Sequence, residues 1–282
     1  PEVLADYAAR YDTIRTLRLD ENHGQAYARN QALKLAQGDY ICFLDADDWY
    51  DRDALRLAVD VFSRHAHTDC VLFDVMQWVD DHHQQRIPLP QFEVMSGYEA
   101  FSESLSWAIH GVYMARRALY ECYPYDDSCR AYSDDNTTRL HYYISREVRP
   151  CGGFYYYRQH EASVTHKAGI RHFDYLRANE SMRRQLIDLG VGDDVLRRYE
   201  NQRWLVLVDC WRFYFIHRQR MTPHDRRAAR AEMKRVWKTI DTTTLEPRNK
   251  WKLGYMPLRP SWRLFCLQEE LYFTLKRWLR RL

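Results

Sequence analysis

Apolar and polar positions change rhythm along this chain, and the first 78 residues switch repeatedly between helical and strand spacing. "PEVLADYAARY" sets Val3, Leu4, Tyr7, Ala8 and Tyr11 at helical intervals, while "TIRTLRL" (13–19) alternates with period two and predicts a strand. "AYARNQALKLAQG" places Ala28, Ala32, Leu35 and Ala36 on one helical face and stops at Gly38. "YICFL" (40–44) is a near-continuous apolar run, the pattern of a strand buried in a parallel sheet. "DRDALRLAVDVFSRH" returns to helical spacing through Leu55, Ala58, Val61 and Phe62, and "DCVLFDVMQW" (69–78) predicts another strand. This alternation predicts an α/β fold with a mostly parallel, doubly wound sheet flanked by helices.

Downstream the order changes. "AIHGVYMA" (108–115) and "GGFYYYR" (152–158) read as strands, and from about Phe173 the pattern is helical. Thr222 before Pro223 is an N-cap followed by proline at the first helical position. The final segment carries Leu264, Leu267, Leu271, Leu275, Trp278 and Leu282 on one face, with Arg263, Lys276, Arg277, Arg280 and Arg281 toward its ends. Two parts are therefore expected: an α/β domain over 1–168 and a basic, helical C-terminal region over 169–282.

The charge divides along the same line. The net charge of +3 combines 16 Lys/Arg against 26 Asp/Glu in residues 1–165 with 26 against 13 in residues 166–282. An acidic front and a basic back imply different partners. With 46% hydrophobic and 15% aromatic residues, disorder is excluded as a description of the chain. Seven scattered cysteines, none in a CxxC pair, read as reduced intracellular thiols and argue against a structural zinc site. The longest apolar run, "WLVLVDCWRFYFI", is interrupted by Asp209 and Arg212 and falls short of the roughly 20 apolar residues that cross a bilayer.

The candidate chemistry begins where "YICFL" ends, at Asp45-Ala46-Asp47-Asp48. In open α/β sheets, ligands bind beyond the carboxyl ends of strands. An Asp-x-Asp there suits a hard divalent cation, which prefers oxygen ligands. It equally suits a polar turn in which Asp48 or Asp51 caps the next helix. Upstream, Asn22 and Gly24 form a turn into a helix N-terminus, a place where a phosphate can be received, and Arg29 on its first turns offers a forked, charge-assisted contact.

Taken together, "NHGQAYARNQALKLAQGDYICFLDADDWYDRDAL" closely resembles family 2 glycosyltransferases of the GT-A fold. The shared pattern is Asn22-x-Gly24, Ala28-Arg29-Asn30, Gly38-Asp39-Tyr40 and then Asp45-Ala46-Asp47-Asp48. The acidic pair that precedes a short helix in that family is matched by Asp134-Asp135, with Asp where Glu is usual at the first position. "FYYYRQHEASVTH" (154–166) resembles the family's Tyr-x-Tyr-Arg-x-His-x-x-Ser segment through Arg158, His160 and Ser163. Family members open with a strand and a Val-Asp-Asp-Gly-Ser-type motif that grips the nucleotide. Residues 1–19 resemble the stretch just downstream of that motif, so the sequence reads as a fragment that begins after it.

The resemblance implies an inverting, metal-dependent transfer of a hexosyl or N-acetylhexosaminyl group from a nucleotide-diphosphate sugar, a UDP-sugar first. The acceptor would be a glycan or a lipid-linked glycan of bacterial surface polysaccharide synthesis. Asp45, Asp47 and His160 would hold Mn²⁺ or Mg²⁺. Asn22, Gly24, Arg29, Asn30, Asp45 and Arg158 would line the donor site. Asp135 would act as general base, with Asp134 beside it as the other catalytic carboxylate. The expected location is cytoplasmic, with the terminal helix either seated on the anionic inner face of the plasma membrane or packed on the domain. Three other classes compete with this reading. A non-catalytic scaffold with this fold fits the missing opening motif but not the intact carboxylates. A phosphoryl transferase using Asp45 would need Thr where Trp49 stands. Nucleic-acid binding lacks any recognised module.

Overall fold

A computed structural model describes residues 2–129, 131–159, 169–258 and 261–279. The chain begins with α1 (Glu2–Arg10), α2 (Gln25–Leu33) and β1 (Tyr40–Cys42). The aspartate turn leads to β2 (Trp49–Tyr50), α3 (Ala54–Arg64), β3 (Thr68–Asp80) and its return β4 (His83–Arg86). Next come β5 (Met95–Ser96), α4 (Gly97–Leu105), β6 (Tyr113–Arg116), α5 (Arg117–Cys122), α6 (Asp134–Ile144) and β7 (Glu147–Arg158). The rest is helical: α7 (Asp174–Asp188), α8 (Asp193–His217), α9 (Pro223–Thr239), α10 (Pro247–Trp251) and α11 (Trp262–Trp278).

The sheet runs β1-β6-β3-β7-β2, with β4 beside β3 and β5 beside β7. β3 is central because every residue from Thr68 to Val75 is buried, so both faces are covered. Phe73, Val75, Ala54, Ala58 and Phe62 form the core under α3, and Cys70, Leu72, Tyr113, Tyr142 and Val148 form the core on the other face. A separate aromatic core around Trp204, Trp211, Trp237 and Phe265 holds the helices α8, α9 and α11 together. The two halves meet where Phe101, Leu105 and Leu140 pack against Met182, Leu186, Val195 and Tyr199.

Three expectations change. The sheet is not mostly parallel: among the described pairings only β3 with β7, the longest, is parallel, and the other five are antiparallel. A parallel pair needs a long crossover, which residues 81–146 supply, whereas short edge strands with one open face pair antiparallel. β1 is accordingly a half-buried edge strand rather than a fully buried one. Residues 13–19 do not form a strand, although their alternation is correct. Among the described strands β1 pairs only with β6, so 13–19 does not add to its free edge, and most of the segment is exposed. The strand expected over 108–115 is confined to Tyr113–Arg116, because residues 108–112 bend into the cleft described below.

The terminal helix faces opposite to a packed stripe. Phe265, Cys266, Gln268, Glu269 and Phe273 are buried, whereas Leu264, Leu267, Leu271, Leu275 and Trp278 are all exposed. None of the described helices is long and apolar enough to cross a membrane.

The position of α6 is set by a close contact with α4. Ser96 and Glu99 form a reciprocal capping box that starts α4 at Gly97. A Cβ at Gly97 would stand 2.5 Å from the carbonyl oxygen of Tyr142 and 2.7 Å from that of Tyr143, both near the end of α6. Backbone atoms cannot yield as a side-chain tip can, so Gly97→Ala is expected to lower unfolding free energy by about 1–3 kcal/mol, the usual range for overpacking. A urea midpoint within error of wild type would refute this account of the α4–α6 contact.

Candidate active site

The chain leaves β1 at Phe43 and turns at once, with the Asp48 N–H donating to the Asp45 carbonyl at 3.1 Å. This turn sorts the three carboxylates into different environments. Asp48 points inward, accepting from the Tyr155 hydroxyl at 2.5 Å and from the Arg158 main-chain N–H at 2.8 Å. Burial raises its pKa, and those two hydrogen bonds oppose the rise. Asp45 remains partly open and accepts from Gln25 Nε2 at 3.0 Å and Arg29 Nη2 at 3.1 Å. Asp47 is exposed, and its carbonyl oxygen accepts from Arg158 Nε at 3.0 Å. The turn therefore has one buried anchor, Asp48, and two carboxylates that solvent can reach.

Upstream, Gln25 and Arg29 of α2 reach the same turn. Asn22 Oδ1 accepts from the Gly24 N–H at 3.0 Å, and Gly24 is the residue before α2 with φ 98°. That left-handed φ is a conformation a side chain would resist. Arg29 lies within α2, stacked over Phe43 at 4.3 Å and Tyr125 at 5.2 Å, with only 16% of its side chain exposed. Its two terminal nitrogens reach different carboxylates: Asp45 at 3.1 Å and Asp134 at 3.5 Å. Asn30 has a different job from ligand binding. Its amide nitrogen donates to the Tyr125 carbonyl and its amide oxygen accepts from the Tyr125 N–H, both at 2.8 Å. Both polar atoms of Asn30 are thus occupied in holding Tyr125, a cleft wall. Arg158 stands over Trp49 at 5.2 Å and Trp78 at 5.1 Å and ties down the aspartate turn. His160 and Ser163 lie outside the described residues.

Asp134 and Asp135 open α6 after Ser133, so neither is its N-cap. Their environments diverge. Asp134 pairs with Arg29. Asp135 accepts no hydrogen bond among the described residues, and burial raises its carboxyl pKa to about 7, opposed by nearby Arg139 and assisted by Asp134. Arg139, one turn along α6, is itself buried and stacks over Trp107 at 4.8 Å. Two residues in the left-handed region flank this corner, Trp107 with φ 58° and Tyr132 with φ 67°. Such strain persists only where the surroundings impose it, and it clusters at working sites.

Arg29, Asp45, Asp48, Tyr125, Asp134, Asp135 and Tyr155 border one cleft of about 250 Å³, whereas Asn22, Gly24, Asn30, Asp47 and Arg158 are not among its lining residues. The same cleft receives His110, which no pattern in the sequence singles out. The Val112 N–H donates to His110 Nδ1 at 3.3 Å, which leaves Nε2 as the protonated nitrogen of the neutral ring. Nε2 is buried and has no partner among the described residues, and burial lowers the pKa to about 4. Trp107 and Tyr155 also escape a reading of motifs. Period two marks Tyr155 as inward-facing within "GGFYYYR", but nothing in the sequence announces the backbone angle of Trp107.

Among the described residues no three metal-ligating side chains converge. Asp45 and Asp47 nevertheless suit a cation that arrives with a diphosphate, because Mg²⁺-type sites commonly use one or two carboxylates completed by phosphate oxygens and water.

The family model described as glycosyl transferase family 2 matches residues 1–124. The chain is 44% identical over 54 residues to the putative teichuronic acid biosynthesis glycosyltransferase TuaG of Bacillus subtilis (strain 168), covering 19% of this chain and 21% of TuaG. It is 49% identical over 39 residues to the amylovoran biosynthesis glycosyltransferase AmsB of Erwinia amylovora, covering 14% of this chain and 13% of AmsB. These matches thus span about a fifth or less of each curated relative. The fold extends much further. The crystal structure of S. aureus TarS 1–349 in complex with UDP-GlcNAc superposes on 98% of this chain and 79% of its own, with a TM-score of 0.69 at 12% identity. The sheet and its helices thus match that GT-A structure almost end to end, and residues 1–124 are similar to glycosyl transferase family 2.

Proposed function

We propose that this protein is an inverting, metal-dependent glycosyltransferase that moves a hexosyl or N-acetylhexosaminyl group from a nucleotide-diphosphate sugar, a UDP-sugar first, to a glycan or lipid-linked acceptor in bacterial surface polysaccharide synthesis. The observation that carries the reading is Asp135: a carboxyl with pKa raised to about 7, without a hydrogen-bond partner among the described residues, in the cleft that also holds Asp45. The kinship with TuaG and AmsB supports the polysaccharide setting, and the UDP-GlcNAc bound by TarS supports the donor class.

Chemically, the acceptor hydroxyl attacks the anomeric carbon from the face opposite the diphosphate. Its proton passes to a carboxylate oxygen of Asp135 as the new C–O bond forms and the bond to the diphosphate breaks. Arg139 keeps Asp135 ionised often enough to act near neutral pH. Asp45, Asp47, Asp48, Asp134 and Asp135 outnumber Arg29, Arg139 and Arg158, so the site alone would repel an anionic donor. A divalent cation on Asp45 and Asp47 would supply the missing positive charge at the leaving group. Arg29 holds Asp45 and Asp134 apart and oriented, and His110 Nε2 offers a neutral donor to a bound hydroxyl.

The exposed leucine face of α11, with Lys276 and Arg277 in its last turn, supports a seat on the anionic inner face of the plasma membrane. Co-flotation with vesicles containing phosphatidylglycerol is expected for the wild type and should be lost in Leu267→Asp/Leu271→Asp; equal flotation of both proteins would sink the membrane seat.

Asp135→Asn in the full-length protein is expected to cut turnover by roughly 10²–10⁴-fold, the typical contribution of a general base, while donor affinity stays unchanged. Wild-type turnover should rise with pH through about 7 and level off above it, since the base must be ionised. Stability runs the other way. The folded-state pKa lies above the unfolded value of about 3.9, so the protonated form favours folding below that value and this contribution is lost as pH rises through about 7. Asp135→Asn should therefore gain stability relative to wild type between pH 5 and pH 8. Undiminished turnover in the variant would remove Asp135 as the base and favour a scaffold role.

Arg29 generates a separate expectation. Arg29→Lys should weaken unfolding stability by about 1–2 kcal/mol, because a single ammonium cannot reproduce a fork that serves two carboxylates on opposite sides. A chemical-denaturation curve that matches wild type would refute the bridging role.

A further inference from the structure

A second cavity of about 540 Å³ lies in the helical region, away from the aspartate cleft, and its walls are dominated by arginine. Arg177, Arg183 and Arg184 project from α7, Arg203 from α8 and Arg235 from α9. Part of this charge is compensated internally. Arg177 donates to Glu232 at 3.1 Å, Arg203 holds Glu200 at 2.8 and 3.0 Å, and Arg235 engages Glu180 and Glu232. Arg183 also contacts Glu200. Five guanidinium groups stand against Glu180, Glu200 and Glu232, with Asp126 and Asp174 near the Cys129 rim.

The donors are not exhausted. Arg184 forms no ion pair or hydrogen bond with any described residue. Arg203 is the sharper sign: its side chain is 1% exposed, yet its Nε–H has no partner among the described residues. A buried donor left unpaired costs about 1–3 kcal/mol, so such a group calls for an occupant. Several guanidinium N–H groups around one space match a tetrahedral oxyanion that accepts many charge-assisted hydrogen bonds, such as phosphate or a phosphate ester.

We propose that this arginine-lined cavity is a binding site for a phosphate group, separate from the catalytic cleft. It is independent of the transferase reading, because none of its residues lies in that cleft. It is nevertheless linked to it by chain: Ser128 and Cys129 form one rim, and the chain continues from there to Asp134 and Asp135. Asp126, just before that rim, is fixed from both sides, accepting from Asn136 at 2.6 Å and from Gln185 of α7 at 2.8 Å.

Inorganic phosphate is the probe. Calorimetric titration at constant ionic strength should show saturable binding to the full chain, weakened at least ~10-fold in Arg177→Gln/Arg184→Gln, both exposed positions whose loss should not unfold the protein. Arg158→Gln, at the aspartate turn, should leave this binding unchanged. Cys129 gives a local readout: phosphate should slow its alkylation, followed by peptide mass spectrometry, while exposed Cys122 labels at the same rate. No saturable binding, equal binding by wild type and the double variant, loss in Arg158→Gln instead, or unprotected Cys129 would each overturn the proposal.

Discussion

The site depends on one cation in one place. Arg29 reaches Asp45 with one nitrogen and Asp134 with another, so it joins the turn after β1 to the start of α6, two segments almost ninety residues apart in the chain. Without it, carboxylates from both segments would face each other across a cleft with little to offset their repulsion. Phe43 and Tyr125 hold the guanidinium from either side, and Asn30 holds Tyr125 by its main chain. The Ala-Arg-Asn sequence is therefore a mechanical unit. Arginine makes the bridge, and the next residue fixes the wall against which arginine stacks.

This bridge works only if α6 stands in the right place, and that is a packing question rather than an electrostatic one. The capping box starts α4 at Gly97, where the absence of a side chain lets α4 approach the backbone near the end of α6. At the other end of α6, Asn136 is tied to Asp126 and to the Ala178 carbonyl of α7 at 2.8 Å. The acidic corner is thus fixed by the sheet domain through α4 and by the helical region through α7. The C-terminal helices support the position of Asp135 directly.

Sequence made the carboxylates legible and left their division of labour hidden. Spacing and resemblance placed Asn22, Gly24, Arg29, Asp45, Asp47, Asp134 and Asp135 around one opening; of these, Arg29, Asp45, Asp134 and Asp135 line one cleft. It did not distinguish Asp48, which Tyr155 pulls inward, from Asp45, which Arg29 holds at the surface of the cleft, because both come after the same apolar run. Nor could it reveal that Asn30 binds Tyr125 instead of facing the cleft, since an amide side chain looks the same in either role. Residues 13–19 show the corresponding limit for the fold. Alternation states which faces a strand would have, but a strand also needs a neighbour, and neighbours are not written in local pattern. The leucine stripe of α11 misleads differently: periodicity identified it, and the helix instead buries its opposite side, around Phe265 and Phe273.

Burial alone does not mark a catalytic carboxyl, and three groups in this chain show why. Desolvation raises the pKa of Asp48, of Asp135 to about 7 and of Glu269 to about 9. Glu269 is fully buried in α11, with Gln268 donating to it at 3.1 Å, and it lines neither the aspartate cleft nor the arginine cavity, so its proton has nowhere useful to go. Asp48 borders the cleft, but both its oxygens are taken by Tyr155 and the Arg158 main chain. Of the three, Asp135 alone combines the raised pKa with open oxygens and a cleft in front of them. Proton transfer requires that combination. A carboxyl titrating near neutral pH can both accept and release a proton in each cycle, but only if a hydroxyl can approach it. Access, bordered by His110 to Val112 and the strained Trp107, separates the proposed base from the two carboxyls that merely share its burial.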